Sequence, residues 1–211
     1  MRRIVFTALF VLLLAACGSD SDSMPADVLF HDEFQSGETG SWLMEGDAVG
    51  RAAIIGEQLF VEIDEPQTIH YVTLEQPAFV DFALELDVTQ IAGDLESSFG
   101  VLFRLQEPAQ FYRFDITGSG LYVVERHDSD GGWTRFVEGW EESEAINQGL
   151  HATNRLKVVA VGSALSFFVN DTLLLQATDS SFGGGNIALD AGTFGRPGLQ
   201  VVFDNVVVSN P

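Results

Sequence analysis

From residue 27 onward, the chain alternates apolar and polar side chains with the period of two that is typical of half-buried strands. In residues 82–89, phenylalanine, leucine and valine occupy every second position, and residues 101–105 and 112–116 follow the same pattern. Glycine, asparagine and aspartate, which favour tight turns, lie between such stretches. The pattern predicts further strands at 52–55, 58–63, 69–74, 120–126, 155–161, 164–169, 172–177, 186–190 and 199–208.

This strand content predicts the fold class. A dozen short strands with no β–α alternation indicate an all-β protein, an antiparallel β-sandwich. We see no internal linker, so residues 27–211 are predicted to be one domain, and the 17 Phe residues can fill its core. Residues 141–147 are the one helix-like stretch and allow about two turns, so we expect at most one or two short helices.

The N-terminal residues have the pattern of a processing signal. Arg2 and Arg3 precede an apolar run at 4–14 that is too short to remain as a membrane span. The sequence Leu-Ala-Ala-Cys that ends at Cys17 resembles the lipobox of bacterial lipoproteins, in which the cysteine carries diacylglycerol. We therefore predict a signal peptide at 1–16 and a lipidated Cys17 with a flexible Gly/Ser/Asp-rich tether at 17–26.

This interpretation predicts a location in the cell envelope. The acylated Cys17 would attach the protein to a lipid bilayer, with the domain on the extracytoplasmic face, because more than one acyl chain gives stable anchoring. The alternative is an ordinary signal peptide followed by a coincidental cysteine. Which membrane carries the protein is left open.

The charge of the chain excludes several partners. Ten Lys and Arg residues against 31 Asp and Glu residues give a formal charge of −21, and Lys157 is the only lysine. Such a chain repels nucleic acid phosphates and anionic lipid surfaces, so no nucleic acid partner is expected. A single Cys excludes a disulfide framework and a cysteine-based zinc site. No required cofactor is predicted, and the oligomeric state is left open.

Motifs along the chain resemble a known family. Residues 29–34 and 202–208 resemble the first and last strands of concanavalin A-like lectin/glucanase jelly rolls. The segments between them, including 100–104, 111–116 and 165–174, are similar in order to the 3-keto-disaccharide hydrolase-type domain and its LamG-like relatives. The resemblance implies a jelly roll, and many members of this family look like extracytoplasmic binding or sensor modules.

The catalytic pattern of this fold class is incomplete here. Its retaining glucanases carry Glu-x-Asp-x-Glu or Glu-x-Asp-x-x-Glu on one strand, which places the working carboxyl groups on one face. Residues 62–67 and 85–90 begin in this way, but Pro and Gln, or Thr and Gln, stand where the final acid is needed. No catalytic residue is therefore assigned.

A ligand-binding face is a stronger candidate than a catalytic site. If the strands at 82–89, 100–105, 111–116 and 121–126 formed one meander, their non-core side would gather carboxylates and guanidinium groups that suit sugar hydroxyls. Two tryptophans after this hairpin could stack on a pyranose ring. The candidate ligand-binding residues are Glu85, Asp87, Arg104, Arg113, Asp115, Trp133 and Trp140. The alternative is a solvated face with cross-strand ion pairs and tryptophans packed at the core rim.

The resemblance also implies a structural calcium ion, because jelly rolls of this class often hold Ca²⁺ between their first and last strands. Asp32 and Asp204 match that placement in sequence. In the alternative interpretation, Asp204 pairs with a backbone amide or an arginine.

These observations lead to one leading hypothesis with two alternatives. The first is a lipid-anchored extracytoplasmic module that binds carbohydrate or envelope glycan without catalysis. The alternatives are a glycoside hydrolase acting on disaccharides or 3-keto-glycosides, and a structural lipoprotein with a protein partner.

Overall fold

The computed structural model describes residues 27–35, 39–44, 46, 49–106 and 109–211. The predicted signal peptide at 1–16, the lipidation site Cys17 and the tether at 17–26 lie outside these residues. Described residues form strands and turns, and their strands are β1 (Val28–Asp32), β2 (Trp42–Leu43), β3 (Gly50–Ile55), β4 (Gln58–Ile63), β5 (Ile69–Phe79), β6 (Phe82–Ala92), β7 (Ser98–Gln106), β8 (Gln110–Thr117), β9 (Leu121–His127), β10 (Trp133–Arg135), β11 (Glu141–Glu142), β12 (Thr153–Val161), β13 (Ala164–Val169), β14 (Thr172–Thr178), β15 (Gly185–Gly192) and β16 (Leu199–Ser209).

The strands form two antiparallel sheets, which confirms the predicted all-β sandwich. Sheet A has the order β14-β13-β12-β6-β16-β4-β3, and β1 also pairs with β16. Sheet B has the order β10-β9-β8-β7-β15-β5-β2, and β11 also pairs with β9. All twelve strands that the alternation predicts are present, whereas β2, β10 and β11, which have two or three residues each, carry too little pattern to be detected.

The core lies between the two sheets and follows from the alternation. Sheet A contributes alternate residues such as Leu84, Leu86 and Phe167, and sheet B contributes residues such as Phe103 and Phe114. Each of these side chains is 0 or 1% exposed. Because side chains on a strand point alternately to the two faces, the residues between them necessarily face outward.

Residues 141–147, the one helix-like stretch, form no helix, which agrees with the expectation of at most one or two short helices. Glu141 and Glu142 pair with β9, and turns follow in which Ile146 N–H donates to Ser143 O. The side chain of Ile146 is buried, which fixes this segment against the core. The described residues contain no helix long and apolar enough to cross a membrane.

The proposed four-strand meander is also wrong, because β6 belongs to sheet A and β7, β8 and β9 belong to sheet B. After β6 the chain crosses from one sheet to the other through residues 93–97. The outward residues of β6 therefore lie on the opposite side of the molecule from those of β7–β9. The seven candidate residues consequently do not share one face.

Candidate binding face

A groove crosses the outer face of sheet B. One cavity of about 450 Å³ is lined by outward residues of β5 and its neighbours, namely Leu43, Tyr71, Thr73, Glu75, Leu105, Gln106, Ala109 and Asn186. A second cavity of about 440 Å³ includes Ile69, the next outward residue of β5 after Tyr71. Successive outward residues of a strand are about 7 Å apart, so the two cavities adjoin along β5.

An aromatic cluster lies at one end of this face. Trp133 is 43% exposed, and its ring centroid is 4.6 Å from that of His127 and 5.8 Å from that of Phe111. These residues are aligned across β10, β9 and β8. His127 Nδ1 lies 2.6 Å from the carbonyl oxygen of Ala109, which lines the first cavity. The cluster therefore borders the groove.

A second aromatic pair lies at the other end of the face. Trp140 packs edge-on against Phe194, with ring centroids 5.9 Å apart. Together with Thr117 and Leu121 they line a cavity of about 230 Å³. Thr117 is six residues from Phe111 on β8, so the two aromatic ends are separated by roughly 20 Å. Both predicted tryptophans thus lie on the outer face of sheet B, at opposite ends.

Between these two ends, the outer face of sheet B contains a buried layer of charged side chains, which we call the floor: Arg113, Asp115, Glu125 and Asp190. The guanidinium of Arg113 contacts the three carboxyl groups. Nη1 donates to Glu125 Oε1 at 3.2 Å, and Nη2 donates to Ser98 Oγ at 2.8 Å and to Asp115 Oδ2. Nε lies 3.2 Å from Asp190 Oδ2. The neighbouring Asp115 and Asp190 raise the pKa of Arg113 against the opposing effect of burial.

This arrangement changes the expected roles of Arg113 and Asp115. Arg113 is 5% exposed and Asp115 is fully buried. The structure brings these two predicted residues together, as the sequence suggested, but both are part of the floor and offer little surface to a ligand. Asp190, which the sequence analysis missed, is also fully buried, and burial together with Asp115 raises its pKa well above its usual value.

Arg104 does not face the groove. It lies at a β-bulge where the pairing of β7 shifts, and its φ of +49° interrupts the alternation that placed it outward. Its fully buried guanidinium donates to the carbonyl oxygens of Phe182 at 2.9 Å and Val80 at 3.1 Å. Arg104 therefore holds two loop segments together inside the protein.

Glu85 and Asp87 lie on the outer face of sheet A, and both are paired. Lys157 Nζ is 2.7 Å from Glu85 Oε1, and Arg155 Nε is 3.2 Å from Asp87 Oδ1. Asn205 Nδ2 also donates to Asp87 Oδ2 at 2.8 Å. These contacts agree with the alternative interpretation of a solvated face with cross-strand ion pairs. A ligand site formed jointly by these two residues and Arg113 is excluded by their placement on opposite sheets.

The two candidate calcium ligands are engaged by protein donors. Asp32 accepts from Phe34 N–H at 2.7 Å and from the Trp42 indole N–H at 3.0 Å. Asp204 accepts from Asn205 N–H at 2.8 Å and from Gln58 Nε2 at 3.2 Å. Among the residues that the structure describes, no three acidic, histidine or cysteine side chains converge on a metal position. Calcium binding at Asp32 and Asp204 therefore stays a prediction.

The residues that line the groove were largely missed by the sequence analysis. Tyr71, Thr73 and Glu75 alternate with core residues along β5, and this outward set could have been found from the predicted strand at 69–74. Asn186 carried no such signal, because its position beside β5 depends on the order of strands in sheet B. Of the predicted ligand residues on this face, Trp133 and Trp140 are the accessible ones.

Comparisons with known proteins extend these findings. No family model matches the chain, and no curated protein sequence matches it. Solved structures do match, among them a carbohydrate binding module, CBM66, from Bacillus subtilis, which is 19% identical in sequence with a TM-score of 0.64. The matched region spans 81% of this chain and 96% of that module.

Two further structures have the same architecture. The laminarinase catalytic domain of Thermotoga maritima is 10% identical with a TM-score of 0.64, covering 87% of this chain and 98% of its own. A protein of unknown function with a galectin-like fold from Bacillus subtilis is 11% identical with a TM-score of 0.63, covering 87% of this chain and 96% of its own.

The chain has a concanavalin A-like jelly-roll fold. At these identities the likeness concerns the fold alone, because unrelated functions share such architectures.

Proposed function

We propose that the outer face of sheet B binds a linear, neutral glycan without catalysis, and that the protein presents this face outside the cell from a lipid anchor at Cys17. The observation that carries the proposal is the groove along β5. Its two adjoining cavities run between the exposed Trp133 and the pair formed by Trp140 and Phe194. An elongated groove suits an extended chain better than a compact ligand.

The chemistry of the lining supports a sugar as the ligand. Tyr71 is 44% exposed on the groove, and an aromatic ring can pack against the C–H face of a pyranose while its hydroxyl stays in water. Thr73, Glu75 and Asn186 add polar groups at fixed positions along the same groove. A few polar groups among apolar surfaces are typical of small-molecule binding sites.

The charge of the protein supports a neutral glycan over an anionic one. The chain carries a formal charge of −21, and among the residues that the structure describes, Glu75 is the one charged residue that lines the first cavity. An anionic glycan such as a polyuronate would be repelled over long range and would meet no cationic side chain among the described residues that line that cavity.

The burial of the acidic residues supports a role without catalysis. Glycosidases use two carboxyl groups that flank the scissile bond about 5 Å or more apart. Asp115 and Asp190 are fully buried, and both contact the guanidinium of Arg113. Neither is placed to contact a glycosidic oxygen from the groove.

A structural neighbour supports the same assignment, since the similar structure from Bacillus subtilis is a carbohydrate binding module. The lipobox-like sequence before Cys17 supports the anchor, and residues 17–26 would hold the domain away from the bilayer. The glycan would then be one that reaches the envelope surface.

Calorimetric titration tests the proposal. The purified protein is titrated with neutral oligosaccharides of increasing length, and we expect the affinity to rise as the chain fills both cavities. Tyr71→Ala should weaken binding at least about tenfold, as expected for a central aromatic contact. Leu173→Ala is the matched control, because Leu173 is 46% exposed but lies on β14 of sheet A.

The remaining outcomes favour the alternatives. Release of products from a disaccharide or a 3-keto-glycoside would indicate the hydrolase instead. Absence of binding to every neutral glycan, with recovery of one stoichiometric protein partner, would indicate the structural lipoprotein. Binding that Tyr71→Ala leaves unchanged would place the glycan elsewhere on the molecule.

A further inference from the structure

Two buried aspartates meet across a glycine in the floor of the binding face. Asp115 on β8 and Asp190 on β15 flank the central strand β7, and Gly100 of β7 is in register with both. A Cβ atom on Gly100 would overlap the carbonyl oxygen of Phe114 and stand 2.7 Å from Asp115 Oδ1. The missing side chain therefore provides the space in which the two carboxyl groups approach each other.

Three of the four carboxyl oxygens of this pair accept no hydrogen bond. Within the described part of the chain, Asp115 Oδ1 and both oxygens of Asp190 have no hydrogen-bond partner, although Arg113 Nε lies 3.2 Å from Asp190 Oδ2 as an ion pair. A buried carboxylate without donors is costly. A proton on one carboxyl group would remove this cost, because a protonated carboxyl donates to its neighbour.

The charge balance around Arg113 leads to the same conclusion. Three carboxyl groups, those of Asp115, Glu125 and Asp190, contact its guanidinium. Among the described residues, the one other cation within ion-pair distance of this cluster is Arg135, whose Nε is 3.6 Å from Glu125 Oε2. Two positive charges balance three carboxyl groups only when one of the three is neutral.

We propose that Asp190 is a positioning residue of the binding face, which keeps its proton at neutral pH and donates it in a hydrogen bond to Asp115. The resulting acid–carboxylate pair joins β8 to β15 across β7. Because Asp190 is in register with Tyr71 on β5, the pair also fixes the floor beside the groove.

The electrostatic surroundings support Asp190 as the protonated partner. Burial is the largest cause that raises its pKa, Asp115 raises it further, and Arg113 lowers it. Glu125 on β9 contacts the same guanidinium, and Tyr71 on β5 is the titratable residue opposite Asp190. The residues of β7 on this face beside the cluster are Ser98, Gly100 and Leu102, and none of them is charged.

Stability should therefore decrease with rising pH on account of this one group. A carboxyl whose pKa is raised in the folded state binds its proton more tightly folded than unfolded. Its contribution is complete below the unfolded pKa of about 3.9, and it is lost as the pH rises through the folded pKa. Within that window the unfolding constant should rise tenfold for each pH unit.

The proton also has a consequence for the ligand, which rests on the proposed function. Once Asp190 loses its proton, two adjacent carboxylates and Glu125 face one buried guanidinium. Repulsion should then loosen the floor beside Tyr71 and lower the affinity for the glycan. The affinity should fall over the same pH range in which the proton is lost.

Infrared spectroscopy tests the proton directly in the unmodified protein. We expect a carbonyl stretching band of a protonated carboxylic acid at pH 7, where exposed Asp and Glu side chains are ionised. The band should be absent in Asp190→Asn and present in Asp64→Asn, a control at an exposed aspartate. Absence of the band from the unmodified protein at pH 7 would overturn the proposal.

Urea unfolding across the pH range adds a second readout. The unfolding constant of the unmodified protein should rise relative to that of Asp190→Asn as pH increases, whereas Asp64→Asn should follow the unmodified protein. Parallel pH profiles for the unmodified protein and Asp190→Asn would overturn the proposal. Should Asp190→Asn not fold, loss of the infrared band on raising the pH of the unmodified protein decides the question.

The two proposals fail in different ways. If no glycan binds, the infrared band still tests the proton. If a glycan binds with an affinity that does not change as the band disappears, the glycan site stands and the positioning role of Asp190 is overturned.

Discussion

Substitution of Gly100 by alanine tests the close packing of the floor of sheet B. The added Cβ would overlap Phe114 O and stand 2.8 Å from the Cα atom of Asp115, so the backbone of β8 must move to accommodate it. Overpacking of a core typically costs about 1–3 kcal/mol, and this site belongs at the upper end because backbone atoms are contacted. Alanine regains about 0.5–1 kcal/mol over glycine in a strand. The net expected loss is about 2 kcal/mol.

Urea denaturation measures this loss. The unfolding free energy of Gly100→Ala is compared with that of Gly183→Ala, a control at a glycine whose Cβ would meet no atom within 4 Å. The control should change the unfolding free energy by less than about 0.5 kcal/mol, as most exposed substitutions do. A loss below about 0.5 kcal/mol in Gly100→Ala would refute the reasoning, because it would show that the space between β8 and β15 is not needed.

Three further predictions concern other residues that the sequence singled out. Arg104→Met should cost about 3 kcal/mol in urea unfolding, because two buried carbonyl oxygens lose their donor; a cost below 1 kcal/mol would contradict the anchoring role. Asp87→Asn should cost less than about 1 kcal/mol in the same assay, because the partner of Asp87, Arg155, is exposed. The same substitution should leave the glycan affinity unchanged in calorimetry, because Asp87 lies on sheet A; weaker binding would show that sheet A contributes to the site. Cys17→Ser should abolish fatty-acid labelling and move the protein from the membrane to the soluble fraction; retained labelling would exclude Cys17 as the acylated residue.

The strands could be predicted from the sequence because alternation is a local property. Each strand of six or more residues in the sandwich carries enough alternating positions to reveal which side chains are buried. The same pattern predicts that Arg113 and Asp115 lie on the outer face of β8, and the structure agrees.

The arrangement of the strands could not be predicted in the same way. The assignment of β6 to sheet A depends on a crossover at residues 93–97, and alternation alone does not distinguish a crossover from a hairpin. The bulge at Arg104 arises where β7 pairs with β8 and β15. The side chain of Arg104 therefore points inward, although the alternation of the sequence predicts that it points outward. The contact of Asp190 with the cluster around Arg113 depends on the pairing of β15 with β7, which the sequence does not reveal.

The central claim is that the outer face of sheet B holds the glycan, and mapping of backbone amide shifts by NMR during a titration tests it most directly. We expect the shifts to concentrate in β5, β7 and β15 beside the groove, with the outer strands β13 and β14 of sheet A unaffected. Shifts confined to sheet A, around Glu85 and Asp87, would contradict the account.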